Sequence, residues 1–141
     1  MNLYAESSAV LAWLLAEDTG RKVRRILAAA EMILASDLTL IECDRSLIRS
    51  WAMGKITEKQ ANDRRGVLNR AAARWILIHV DPEVVDLSRR PFPREPVRTL
   101  DALHLASAAV ARLAVPGLVL LSLDERIRSN AQALGFRVVP D

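Results

Sequence analysis

The stretch LVLLSLDERIRSNAQALGFRVV, residues 118–139, reads as a strand, a helix and a second strand. Leu118 to Ser122 is apolar up to its last residue, Glu125 to Leu134 has the composition of a helix, and Gly135 separates it from Phe136 to Val139. Strands without apolar/polar alternation are covered on both faces, and short buried strands joined through helices lie parallel. Pro116-Gly117 turns the chain into the first of these strands.

The same punctuation continues towards the N-terminus. Asn2 to Glu6 is a short extended run, followed by Ser7-Ser8 and a helical segment from Ala9 to Ala16. Glu17-Asp18-Thr19-Gly20 breaks that helix, and Arg21 to Ala30 reads as the next. Met32 to Ala35 is a buried strand, after which Ser36-Asp37 caps a long helix to Ala52, with Gly54 at its end. Thr57-x-x-Gln60 is a capping box opening a helix to about Arg74, and Trp75 to Val80 is another strand. Pro82 suits the first position of a short helix, Glu83 to Arg89. A Pro-rich rigid loop spans 90–96, and Thr99 is expected to cap an apolar helix to Ala114. The expected fold is α/β: a single domain over 1–141, an α/β/α sandwich with a central parallel sheet and right-handed crossovers.

Composition excludes several classes. The chain has 141 residues, 51% hydrophobic and 26% charged, which suits one core and neither a disordered nor a fibrous chain. Its one cysteine, Cys43, forms no intrachain disulfide and reads as a small apolar filler. The most apolar stretch, Ala102 to Leu123, is interrupted by His104, Arg112 and Pro116-Gly117, a poor membrane span. No basic residue precedes the first apolar run, which argues against a signal peptide, so a cytoplasmic location is the expectation. Net charge is +3, yet residues 45–98 carry twelve Arg or Lys against six acids. That segment is compatible with a polyanionic partner such as nucleic acid, and equally with solvated helix faces.

In parallel sheets ligands bind beyond the carboxyl ends of the strands. Four acids fall there: Glu6 closing the first strand, Glu42 early in the helix after the second, Asp101 in the first turn of the apolar helix, and Asp124 after Ser122. Clustered carboxylates without Cys or His ligand spacing suit Mg²⁺ or Mn²⁺ better than zinc. Each acid also has a structural reading. Ser122-x-x-Glu125 is itself a capping box, a helix N-terminus favours an anion at Asp101, and Arg45 and Arg49 share a helical face with Glu42. Glu6 is the hardest to account for this way, because an ionised carboxylate at the end of an interior strand is costly without partners.

Together, YAESSAVL (4–11), LTLIECDRSL (38–47), RTLDALHLASA (98–108) and LLSLDERIRSNAQALGFRVV (120–139) resemble the PIN domain, and within it the VapC-type ribonuclease toxins of toxin–antitoxin pairs. The resemblance spans essentially the whole chain. The LDALHLA segment and the later hydroxyl-x-Asp-Glu-Arg segment carry it most specifically. It implies a metal-dependent endoribonuclease using Mg²⁺ or Mn²⁺, with the family's four acids falling on Glu6, Glu42, Asp101 and Asp124. Glu6, Asp101 and Asp124 are then direct or water-mediated metal ligands, Glu42 orients a water or completes the cluster, and Ser8 and Ser122 fix the carboxylates. Implied partners are RNA, a cognate antitoxin and a second copy in a homodimer, with no membrane role.

One position departs from the family pattern: Glu6 stands where Asp is usual, which moves the carboxylate by roughly one C–C bond. That departure supports the alternative of a catalytically silent PIN-like module binding RNA or a protein partner. His104, one helical turn beyond Asp101, reads more readily as a packing residue than as a proton carrier. Trp13, Trp51 and Trp75 read as core or interface residues.

Overall fold

The computed structural model describes all 141 residues, which form five strands and seven helices. In chain order these are β1 (Asn2–Ala5), α1 (Ser7–Leu14), α2 (Gly20–Ala29), β2 (Met32–Ser36), α3 (Asp37–Ala52) and α4 (Glu58–Ala72). They are followed by β3 (Ile76–Ile78), α5 (Pro82–Ser88), α6 (Thr99–Ala114), β4 (Val119–Leu121), α7 (Glu125–Ala133) and β5 (Val138–Val139). All pairings are parallel and the strand order is β3-β2-β1-β4-β5.

Successive residues of β1 face opposite layers, as the strand period of two requires. Tyr4 joins Leu34, Leu120 and Val138 against Leu105, Ala108 and Ala111 of α6 and Ile127 and Ala131 of α7. Leu3, Val119, Leu121 and Val139 face the other way, against Ala9 of α1 and Val23 of α2. Ala5 meets Val10, Leu14, Cys43 and Leu68, bringing α3 and α4 onto that second face. Both sides of the sheet are therefore covered, which explains why its strands are apolar throughout. No helix is long and apolar enough to cross a membrane.

The helix ends differ instructively from expectation. The Thr57–Gln60 capping box forms with both of its bonds, and Ser36 caps α3 through Leu38 N. The first helix starts two residues earlier than expected, because Glu6 itself is its N-cap and accepts from Ser8 N. Asp124 likewise caps α7, accepting from Arg126 N and Ile127 N, so the expected Ser122–Glu125 box does not form. Thr99 is the first residue of α6 rather than its cap; Arg98 holds the cap position without a side-chain bond. Cys43 is buried in the α1–α3–α4 cluster, as a filler should be, whereas Trp51 is 43% exposed and lies outside the core.

Candidate active site

The parallel register places the ends of β1 and β4 side by side, and the ladder runs one residue past β1 through Glu6 N to Leu121 O, 3.0 Å. Glu6 thus enters the crevice between two strand ends while only 4% exposed. Its Oε1 accepts from Ser8 N at 3.1 Å, and its Oε2 accepts from Ser122 Oγ at 2.7 Å and from Ser8 Oγ. Ser8 Oγ in turn accepts from Leu123 N and Asp124 N, at 2.9 and 3.1 Å. The two serines therefore clip the β1–α1 junction to the β4–α7 junction around one buried carboxylate. Those hydrogen bonds, to an ionised group at a helix N-terminus, supply the partners that a buried charge requires.

Glu42 sits in the second turn of α3 and makes no ion pair with Arg45 or Arg49, which removes the surface-pair reading of this residue. Its Oε1 accepts instead from Ser7 Oγ at 2.8 Å and contacts His104 Nε2 at 2.5 Å. Burial would raise the Glu42 carboxyl, but the hydrogen bond with His104, together with the Ser7 hydroxyl, outweighs it and holds the group below the usual carboxylate range. His104 is 1% exposed, and its Nδ1 meets the Tyr4 hydroxyl at 3.1 Å.

Asp101 occupies the first turn of α6 and has no hydrogen-bonded partner of its own. Its carboxyl is pushed up, first by burial and then by the charge of Asp124, with Arg98 and His104 opposing and Glu42 adding to the rise. Asp124 spends Oδ1 on the cap of α7. The four acids thus reach one edge of the sheet but are not equivalent there. Glu6 and Glu42 are held by protein donors, and Asp101 and Asp124 form a pair of mutually repelling carboxylates.

No three acidic, histidine or cysteine side chains stand close enough to form a ready-made metal cage. The donor chemistry still suits a hard divalent cation. Mg²⁺ characteristically takes one or two carboxylates, completes its shell with water and substrate phosphate, and does not need an all-protein cage. An unpartnered Asp101 whose ionisation is resisted by Asp124 is a place where positive charge is wanted.

The sequence model of the PIN domain family matches residues 3–133. The chain belongs to the PIN domain family. Within that family it is of the VapC type: Ribonuclease VapC46 of Mycobacterium tuberculosis is 33% identical over 137 residues, covering 97% of this chain and 95% of that protein. Among solved structures, VapC20 of Mycobacterium tuberculosis, a Sarcin-Ricin loop cleaving toxin, superposes with a TM-score of 0.68 at 14% identity, covering 99% of both chains. VapBC2 of Rickettsia felis, bound to a DNA fragment from its promoter, matches with a TM-score of 0.65 at 14% identity, over 99% of this chain and 98% of that one. At such identities these structures speak to the fold, and the fold they share is the α/β/α PIN architecture.

In this PIN domain the sequence points to the serine brackets at Ser8 and Ser122 but not to Ser7, Tyr4 or Arg98. Ser7 reads in the chain only as part of a helix boundary, because its link to Glu42 spans 35 residues. The packing reading of His104 holds for its burial, yet it also joins three other polar side chains.

Proposed function

We propose that this protein is a Mg²⁺- or Mn²⁺-dependent endoribonuclease, the cytoplasmic toxin of a toxin–antitoxin pair, hydrolysing RNA phosphodiester bonds at the Glu6–Glu42–Asp101–Asp124 edge. The observation that carries this reading is the Asp101 carboxyl, which no protein donor meets and whose ionisation the charge of Asp124 opposes; a cation held there would relieve that repulsion. Asp101 and Asp124 Oδ2 would hold the ion. Glu6, fixed by Ser8 and Ser122, keeps the crevice walls in register, and would hold the ion directly or through water. Glu42, with Oε1 engaged, has Oε2 left to orient the attacking water. When bound, the cation neutralises charge building on the phosphoryl oxygens and lowers the pKa of water. Arg98, whose charge reaches Asp101, is placed to meet an RNA phosphate.

The partners follow the same reading. RNA is drawn by the exposed basic side chains of α4, among them Arg65, which pairs with Asp44 at 3.3 Å. A cognate antitoxin is supported by the toxin–antitoxin complex from Klebsiella pneumoniae, which shares this fold with a TM-score of 0.63. A homodimer is supported by Ile41, Ile48 and Trp51, exposed along α3 at spacings that keep them on one side.

The test is incubation of the purified, antitoxin-free protein with total cellular RNA in Mg²⁺, in Mn²⁺ and in chelator. Discrete metal-dependent cuts are expected. Retarded RNA without cuts, from folded protein, would favour the silent binding module and make Glu6 the residue responsible.

A further inference from the structure

The Tyr4–His104–Glu42 chain contains more order than packing needs. It links the central strand β1, the helix α6 that carries Asp101, and the helix α3 that carries Glu42. The rings of Tyr4 and His104 meet edge-on, 6.3 Å apart at 77°. Tyr4 is fully buried and His104 nearly so, leaving no bulk water to exchange protons with the imidazole.

A neutral imidazole has one N–H and one lone pair, and the neighbours of each nitrogen determine which is which. At Nδ1 the neighbour is a phenol, which can donate its O–H or accept. At Nε2 it is a carboxylate oxygen 2.5 Å away, which only accepts. A proton on Nδ1 would leave the Nε2 lone pair facing that carboxylate, so the carboxylate end selects the Nε2–H form and the phenol can donate to the bare Nδ1. The Ser7 hydroxyl, 3.0 Å from Nε2, donates to the same Glu42 oxygen.

We infer that His104 is a positioning residue, held as the Nε2–H tautomer by the Glu42 carboxylate, with Tyr4 meeting the bare Nδ1, so that, with Ser7, it pins Glu42 Oε1 and presents only Oε2 to the reacting water. This rests on the nuclease reading above for the role of Glu42, but the geometry of the lock is testable without it. Partners that orient a site carboxylate or imidazole typically contribute 10–100-fold in metal affinity or activity.

The experiment uses the full chain with ¹⁵N-labelled histidine. The chain has two histidines, and exposed His79, whose Nδ1 meets Asp37 Oδ2 at 2.9 Å, supplies the second set of signals. Long-range proton–nitrogen correlations should give His104 the pattern of a protonated Nε2 and a bare Nδ1, and Tyr4→Phe, which leaves the Glu42 carboxylate facing Nε2, should keep it. His104→Leu should reduce the saturating single-turnover rate on total RNA by about 10–100-fold, with much less change in the protein concentration giving half-maximal rate. His104→Gln, whose amide N–H₂ can replace the Nε2–H, should recover to within about threefold of wild type. Mn²⁺ affinity, measured without RNA, should follow the same order.

An Nδ1–H pattern or protonation of both nitrogens in the wild type, or Gln no better than Leu in two folded variants, would overturn the inference. If His104→Leu does not fold, Glu42→Gln decides: its amide can donate or accept at Nε2, so the two forms should mix, and an unmixed Nε2–H pattern there counts against the lock. If the wild type cuts no RNA in either metal, the nuclease reading falls, and the tautomer pattern with the Mn²⁺ series still judges the lock.

Discussion

Replacing Glu6 by Asp perturbs the site by one methylene, and the structure sets the size of the effect. The carboxylate retreats by roughly 1.5 Å, one C–C bond. Asp is a favoured N-cap, so the bond from Ser8 N, 3.1 Å in the wild type, can be kept at the start of α1. The bond from Ser122 Oγ cannot: starting from 2.7 Å, a retreat of that length opens it to about 4.2 Å, beyond hydrogen-bonding range. A hydrogen bond to a charged group contributes about 1.5–3 kcal/mol. The Ser122 O–H can turn to Ser8 Oγ, 3.3 Å away, so it is not orphaned. Glu6→Asp should therefore destabilise by about 1.5–3 kcal/mol, a fall in Tm of roughly 5–12 °C for a chain of this size. Differential scanning calorimetry measures this, and the cycle with Ser122→Ala isolates the bond: in that background Glu6→Asp should cost clearly less, though not nothing, since the Ser8 Oγ bond to Oε2 is disturbed in both backgrounds. Cleavage per folded molecule should be preserved or raised, since Asp is the family's usual residue there. An unchanged Tm, or strictly additive effects in the cycle, would refute the bracket argument.

Other consequences can be checked separately. Asp101→Asn removes a carboxylate that burial and Asp124 already oppose, so in chelator it should stabilise the protein by about 0.5–1 kcal/mol, read as a small rise in Tm. The two shifted acids give opposite pH dependence. The raised Asp101 costs stability while ionised, a cost relieved as pH falls towards its elevated pKa, above about 3.9. The lowered Glu42 contributes stability at neutral pH that is lost only as pH falls below about 4.3, so acid titration of Tm should rise and then fall. Arg64→Ala with Arg65→Ala should reduce the salt slope of RNA binding by about 0.7 for each phosphate no longer neutralised; an unchanged slope would place the RNA elsewhere. At Gly20 an added Cβ would lie 2.4 Å from Ala12 O, so Gly20→Ala should cost about 1–3 kcal/mol in urea unfolding as α1 and α2 are forced apart.

Much of this molecule is legible in its chain because each strand must be apolar on both faces, and Leu3, Tyr4, Val119 and Leu120 carry that demand openly. The Thr57–Gln60 box is legible because both partners lie within one turn. The caps at Glu6 and Asp124 are harder, since an acid after a strand looks the same whether it caps a helix or faces a ligand, and both residues cap. The four acids are recognisable by position, but their inequality is not. It arises from Ser7, Ser122 and His104, whose links to Glu42 and Glu6 span 35 to 116 residues. Trp51 resembles a core residue because its sequence neighbours are apolar, whereas its own direction on α3 faces solvent.

The proposed chemistry stands or falls on Asp101 and Asp124 holding the cation that cleavage requires. Its sharpest test is the single-turnover rate of RNA cleavage by folded Asp101→Asn protein in saturating Mn²⁺, beside wild type in the same metal and in chelator. Asp101→Asn should cut no faster than wild type in chelator, while its Tm is equal or higher. Cleavage by Asp101→Asn at the wild-type, metal-dependent rate would remove Asp101 from the metal site and with it the basis of the proposal.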